Sequence, residues 1–234
     1  MSTIEKAMGK RKELPENVKI SQSIDELISA KTVDANKIAE KAESAIATNS
    51  KQVDKKRAIR IDSARLKGLG IINDGNDLDE RLIKDEFRAI KRKIINGAFG
   101  NKSEFLTNSN LVMVSSARMN EGKTFVAINL ALSIASEKDK TVLLVDADVL
   151  SPSVADTLGI DNNKPGLIDY LLGDIDDVSD IIYSTSISDL RIMPAGVSHH
   201  LSYELLSSDR MQALTQELAN RYPDRIIVLD CPLY

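Results

Sequence analysis

Residues 111 to 146 constrain this chain more than any other stretch. Leu111-Val-Met-Val is a short apolar run, Ala117-Arg-Met-Asn-Glu-Gly122-Lys123-Thr124 follows it, Lys123 to Glu137 is helical in character, and Thr141-Val-Leu-Leu-Val-Asp146 is a second apolar run. Strand, helix, strand in that order builds a parallel sheet whose faces are covered by helices. The eight residues after the first run fit the pattern A/G-x-x-x-x-G-K-S/T. In that pattern the loop amides and the new helix N-terminus point at phosphate oxygens, and the glycine lets the backbone approach. The lysine places a point charge on the β and γ phosphates, and the hydroxyl is a ligand for Mg²⁺. Ala117, Arg118, Met119, Asn120, Glu121, Gly122, Lys123, Thr124 and Phe125 are therefore the candidate nucleotide-binding residues.

Acidic residues end the strands on the same side. The second run closes in Val145-Asp146-Ala147-Asp148, at the carboxyl edge where parallel sheets bind ligands. Two acids two residues apart can hold hydrated Mg²⁺ and take a proton from an incoming hydroxyl. Alternatively, one of them caps the following Ser151-Pro152-Ser153. A last run, Ile226-Ile-Val-Leu-Asp230, is four apolar residues and an acid, the form of a Mg²⁺-supporting Walker B strand. Thr124, Asp146, Asp148 and Asp230 are the candidate metal ligands; Lys123, Asp146 and Asp148 are the candidate catalytic residues.

The rest of the chain frames this unit. Leu82, Ile83, Phe87, Ile90, Ile94 and Ile95 recur at three- and four-residue steps, which predicts an amphipathic helix over 78–96. Asp189-Leu-Arg-Ile-Met-Pro is a further strand, and Tyr203–Arg221 a helix feeding the last one. Residues 1–57 are rich in Lys, Glu, Ser, Ala and Asn and carry no aromatic, too little apolar surface for a core of their own. Residues 58–72 concentrate apolar positions and read as a short docking helix. The predicted organisation is a flexible, partly helical N-terminal tail over 1–77 and an α/β P-loop domain over 78–234 with a mainly parallel sheet.

Charge and cysteine content narrow the setting. The net charge of −4 conceals +5 over residues 1–67 and −9 over 68–234, a modest basic excess that reads as a solvated segment and not as a nucleic-acid site. One cysteine, Cys231, forms no internal disulfide and fits a reducing compartment. No run reaches the roughly 18 apolar residues of a spanning helix, so a cytoplasmic protein is expected, with any membrane role exerted through a partner. His199-His200 has no third ligand at a suitable spacing and reads as a solvated loop; Tyr170, Tyr183, Tyr203 and Tyr222 read as packing residues.

Ala117–Thr124 with Val145–Asp148 and Val228–Asp230 resembles the Walker A, A′ and B set of the bacterial tyrosine kinases, a branch of the ParA/MinD-like P-loop ATPases. Asp85-Glu-Phe-Arg-Ala-Ile-Lys-Arg92, Thr124–Ala131, Met193-Pro-Ala-Gly196, Glu204–Ser208 and Arg221–Ile227 resemble the branch tied to exosortase-linked exopolysaccharide operons. The resemblance implies a protein-tyrosine autokinase using ATP and Mg²⁺ to regulate exopolysaccharide biosynthesis and export. Lys123 and Thr124 would hold Mg·ATP, Asp146 would be the base toward a tyrosine hydroxyl, and Asp148 and Asp230 would support the metal. It also implies a membrane-embedded chain-length or export partner at the inner membrane. Self-association would use the 78–96 helix, where Asp85, Arg88 and Lys91 stand at the positions of an E-x-x-R-x-x-R pattern. Three departures accompany it. Met119-Asn120 replaces Pro-Gly in the loop, where Asn tolerates the positive φ required. Leu150 stands where an Arg is usual, and the chain ends at Cys231-Pro-Leu-Tyr234, where the family continues. That end leads to the expectation of a C-terminally incomplete domain whose sheet is left with an unpaired, apolar edge at its central strand. An ATPase switch without protein kinase activity and an inactive interaction module are the alternatives.

Overall fold

The computed structural model describes residues 58–71, 78–100, 103, 107–161, 163–222 and 224–233. The expected tail over 1–57, the turn at 73–76 and Tyr234 lie outside the described residues.

Five strands form one sheet: β1 (Leu111–Val114), β2 (Thr141–Asp146), β3 (Tyr183–Ser184), β4 (Leu190–Met193) and β5 (Arg225–Asp230), in the order β1-β5-β2-β4-β3. The first four in that order are parallel, and β3 closes antiparallel on β4. β2 and β5 sit centrally, and nearly every side chain on them is buried, so both read as unbroken apolar runs. The last strand pairs on both sides, with β1 and with β2. The open edge lies at β1, where Met113 is 68% exposed.

Seven helices accompany the sheet among the described residues: α1 (Ser63–Gly68), α2 (Leu78–Phe99), α3 (Lys123–Ala135), α4 (Val154–Leu158), α5 (Leu167–Leu172), α6 (Ser202–Leu206) and α7 (Asp209–Arg221). α3 is apolar nearly all round, and its small residues Ala127 and Ala131 are fully buried, so the helix backbone packs closely on the sheet. α2 packs against α3, with Phe87 meeting Phe125 edge-on at 6.5 Å. The single helix expected over 203–221 is two helices. The Ser208 hydroxyl accepts a bond from the Met211 amide and starts α7 afresh, since a serine at that position serves better as a cap than as helix interior.

Residues 58–71 belong to this body, although the boundary was expected at 78. Ile61, Leu66 and Ile71 are buried in the same core as α3 and β2, and the expected docking helix is α1.

Candidate functional site

The parallel register assembles the site. β2 and β5 align so that Asp146 faces Asp230 across the pair, and β1 aligns Val114 with Asp230. The loop leaving β1 thus opens beside both acids. Asn120 adopts φ +61 and Gly122 φ +89, so the loop turns twice through the left-handed region. The first turn is made by the asparagine that replaces the usual glycine. Glu121 pins the start of the loop, its Oε2 accepting from the amides of Ala117 and Arg118 at 3.1 Å each. Gly122 offers α3 no side-chain cap, and no atom lies within 4 Å of where its Cβ would be. An anion therefore has open access to the helix N-terminus.

Lys123, Thr124, Asp148 and Asp230 converge. The Lys123 ammonium is paired with Asp148 and lies 3.9 Å from Asp230 Oδ1. The Thr124 hydroxyl donates to Asp230 Oδ2 at 2.6 Å and lies 2.8 Å from the Ser153 hydroxyl. Asp146 is 0% exposed and sits behind them; its Oδ2 accepts from the amides of Ser153 (3.2 Å) and Val154 (3.0 Å). Both acids of the Asp-Ala-Asp pair also brace the following segment, since Asp148 Oδ1 accepts from the Ser151 amide. The contacts of the capping alternative are thus made by both acids.

Burial dominates the electrostatics. Removal from water pushes the Asp146 carboxyl up to about 7, helped by the neighbouring Asp230 and Asp148 and opposed by the Val154 amide. Asp230 is raised for the same first reason, against the pull of the Thr124 hydroxyl and Lys123. Oδ1 of Asp146 and Oδ1 of Asp230 are buried without a hydrogen-bond partner. Two orphaned carboxylate oxygens beside one threonine hydroxyl are hard oxygen donors suited to a hydrated Mg²⁺, so the residues present fit that ion.

An open cavity of about 640 Å³ lies over this floor. Met119, Asn120, Gly122, Lys123, Thr124, Phe125 and Asp148 line it. Leu150, Ser151, Ser153, Pro232 and Leu233 complete the wall and were not among the expected site residues. Ser153 carried a signal, two residues past Ser151, but only the fold shows its hydroxyl beside Thr124. Arg118 does not line the cavity.

The helix motif expected to mediate self-association is already engaged within the chain. Arg88 bonds Asp85 at 2.8 Å on the same helix, and Lys91 is buried, reaching Glu137 at 2.5 Å. Lys91 is thus not part of an outward-facing surface, which corrects its expected place in an interface. Tyr203, expected to pack, is instead exposed.

Comparison with known proteins agrees with this geometry. A family model described as an AAA domain matches residues 109–233, more than half of the chain. The tyrosine-protein kinase etk of Escherichia coli strain K12 is 35% identical over 127 residues, 54% of this chain and 17% of the relative. The tyrosine-protein kinase wzc of Salmonella typhi is 32% identical over 124 residues, 53% of this chain and 17% of the relative. The chain thus spans about one-sixth of the length of the curated relatives it matches. Among solved structures, the VpsO kinase domain is 32% identical with a TM-score of 0.53, covering 66% of this chain and 72% of that one. The kinase domain of Escherichia coli tyrosine kinase ETK is 27% identical with a TM-score of 0.54, covering 64% and 55%. With the loop, the paired acids and the fold in agreement, the chain belongs to the AAA-domain family of the bacterial tyrosine kinases.

Proposed function

We propose that this chain carries the phosphoryl-transfer domain of a protein-tyrosine autokinase that uses Mg·ATP and regulates exopolysaccharide biosynthesis and export. One observation supports it above the others: Lys123, Thr124 and Asp148 face one cavity, and beside them Oδ1 of Asp146 and Oδ1 of Asp230 are buried without a hydrogen-bond partner. Lys123 and the α3 amides hold the phosphates, and Phe125 stands beside them. Thr124, Asp146, Asp148 and Asp230 are the residues that would hold Mg²⁺. The ion, when bound, would supply positive charge against the transferring phosphoryl group.

Asp146 is the base for the acceptor hydroxyl. Its Oδ1 accepts no hydrogen bond from the protein and is free to take the proton. Asp148 meets the acceptor first, because it lines the cavity while Asp146 lies behind it. Once phosphate draws Lys123 away from Asp148, the acceptor oxygen attacks the γ phosphorus, ADP leaves and the hydroxyl proton passes to the Asp146 carboxylate. Catalysis is chiefly placement and fixed charge.

A membrane-embedded chain-length or export protein is the partner we propose, with the chain acting at the cytoplasmic side of the inner membrane. Among the described residues no helix is long and apolar enough to cross a membrane. Self-association would use the outer face of α2, where Leu82 and Ile90 are exposed, and not Lys91.

The test is incubation of the purified chain with Mg·ATP beside Lys123→Met, read by anti-phosphotyrosine detection and intact mass. We expect one or more phosphates on tyrosine in the wild type and none in the variant. ATP hydrolysis without phosphotyrosine would replace this assignment with an ATPase switch, and the absence of nucleotide binding would leave an interaction module.

A further inference from the structure

We propose that residues 58–71 brace the catalytic edge of the sheet through α4, with Arg65 as the positioning residue. This inference rests on the phosphoryl-transfer assignment of the Lys123 site.

The brace is anchored to the edge of the sheet farthest from β1. The Ile59 amide donates to the Ser184 carbonyl at 2.8 Å, and the Ser186 amide donates to the Ile59 carbonyl at 2.7 Å, a parallel bridge that extends the sheet beyond β3. The Ile61 amide then donates to the Ser186 hydroxyl at 3.1 Å. Ile61, Leu66 and Ile71 enter the core. This fixes the position of α1, which starts on an Asp62 side-chain cap.

From α1, Arg65 reaches 91 and 92 residues along the chain. Its Nη2 donates to the Asp156 carbonyl at 2.6 Å and its Nε to the Thr157 carbonyl at 3.2 Å. Both carbonyls belong to the last turn of α4, where a cation is favoured; that of Asp156 also accepts from the Gly159 amide at 3.2 Å. The other end of α4 is the site itself. The Ser153 and Val154 amides hold Asp146 Oδ2, and the Ser153 hydroxyl touches that of Thr124. Within the helix, the Thr157 amide and hydroxyl both bond the Ser153 carbonyl, at 2.9 and 2.6 Å. The segment held by Arg65 and the segment holding Asp146 are therefore tied one turn apart. A five-residue helix has too few internal bonds to fix its own orientation, so external contacts at its two ends decide it. Arg65 touches no group that would meet ATP or tyrosine; its effect on the site passes through α4.

The test uses the full chain as wild type, Arg65→Ala, Arg65→Lys and Lys123→Met. Hydrogen exchange at the Ser153 and Val154 amides is followed by NMR, beside kcat and KM for Mg·ATP in tyrosine phosphorylation. For Arg65→Ala we expect those two amides to exchange about tenfold faster while amides of β2 and β5 keep their protection. We also expect kcat to fall roughly three- to tenfold, with KM within about twofold, the scale of one or two lost hydrogen bonds. Arg65→Lys should recover part of both effects, since an ammonium can still reach a carbonyl but not two in a fixed fork. Wild-type exchange at 153 and 154 in Arg65→Ala would overturn the brace, as would faster exchange spread equally through β2 and β5. Phosphorylation that persists in Lys123→Met would overturn the site assignment instead. The exchange measurement does not depend on activity and decides the brace in either case.

Discussion

The carboxylates at the sheet edge and the charges on α2 follow opposite rules. Asp146 and Asp230 each leave one oxygen buried without a hydrogen-bond partner, and both are pushed toward their neutral forms. On α2, Arg88 is answered by Asp85 and Lys91 by Glu137, which that contact holds below the ordinary carboxylate range. Buried charge without a partner destabilises a fold, so its persistence marks a place where a ligand supplies what the protein lacks. Charge satisfied within the chain has little left to offer a partner. Function is to be sought at the first region, and structural support at the second.

The largest effect expected from this contrast is on Lys123. Lys123→Met should reduce tyrosine phosphorylation by at least about a hundredfold, since a positioned cation is lost from the transferring group. The chain should remain folded, and comparison by circular dichroism with the wild type checks this. Next come the two acids of the Asp-Ala-Asp pair. Asp146→Asn should abolish proton transfer yet raise the stability of the ligand-free chain at pH 8 by about 1–2 kcal/mol, because a buried charge is removed. Asp148→Asn should also lower activity, without raising stability, since that carboxylate is paired with Lys123. Denaturant melts of the two variants check the difference, and equal stability changes would break the distinction drawn between them.

Smaller effects belong to α2. Lys91→Met should cost no more than about 1 kcal/mol, since Glu137 is half exposed and water replaces the lost contact, and should leave the oligomeric state unchanged in sedimentation. Arg88→Ala, whose pair is exposed, should change stability by less than about 0.5 kcal/mol. If Lys91→Met dissociated an assembly, the buried contact with Glu137 would not describe its role.

Much of the first region was legible in the sequence because its signals are local. Apolar runs ending in acids, a loop with Gly122-Lys123-Thr124 and a helix behind it require no knowledge of distant residues. Even the positive φ of Asn120 followed from the chemistry of asparagine. What was hidden depends on register or on a distant partner. The insertion of β5 between β1 and β2, which brings Asp230 to Asp146, is a tertiary fact. Lys91 reads as a surface cation until Glu137, 46 residues away, is seen beside it. β3 has two residues, too few for any periodicity, and the break at Ser207-Ser208 depends on a cap that a continuous apolar pattern conceals. The docking of residues 58–71 was readable from three apolar positions, whereas the reach of Arg65 to α4 was not.

The pH dependence of stability, with and without nucleotide, tests most directly whether the acidic floor awaits a cation. A carboxyl raised from 3.8 to about 7 binds its proton more tightly in the folded state. Its contribution is full below about pH 4 and is lost as pH rises through 7. Asp230, also raised, acts in the same direction, while the lowered Glu137 and Asp177 act oppositely at more acid pH. The ligand-free chain should therefore melt at a lower temperature at pH 8 than at pH 6, and Asp146→Asn should remove most of that difference. Mg·ADP should stabilise the wild type more at pH 8 than at pH 6. Equal melting temperatures at the two pH values, with no stabilisation by Mg·ADP, would contradict the account.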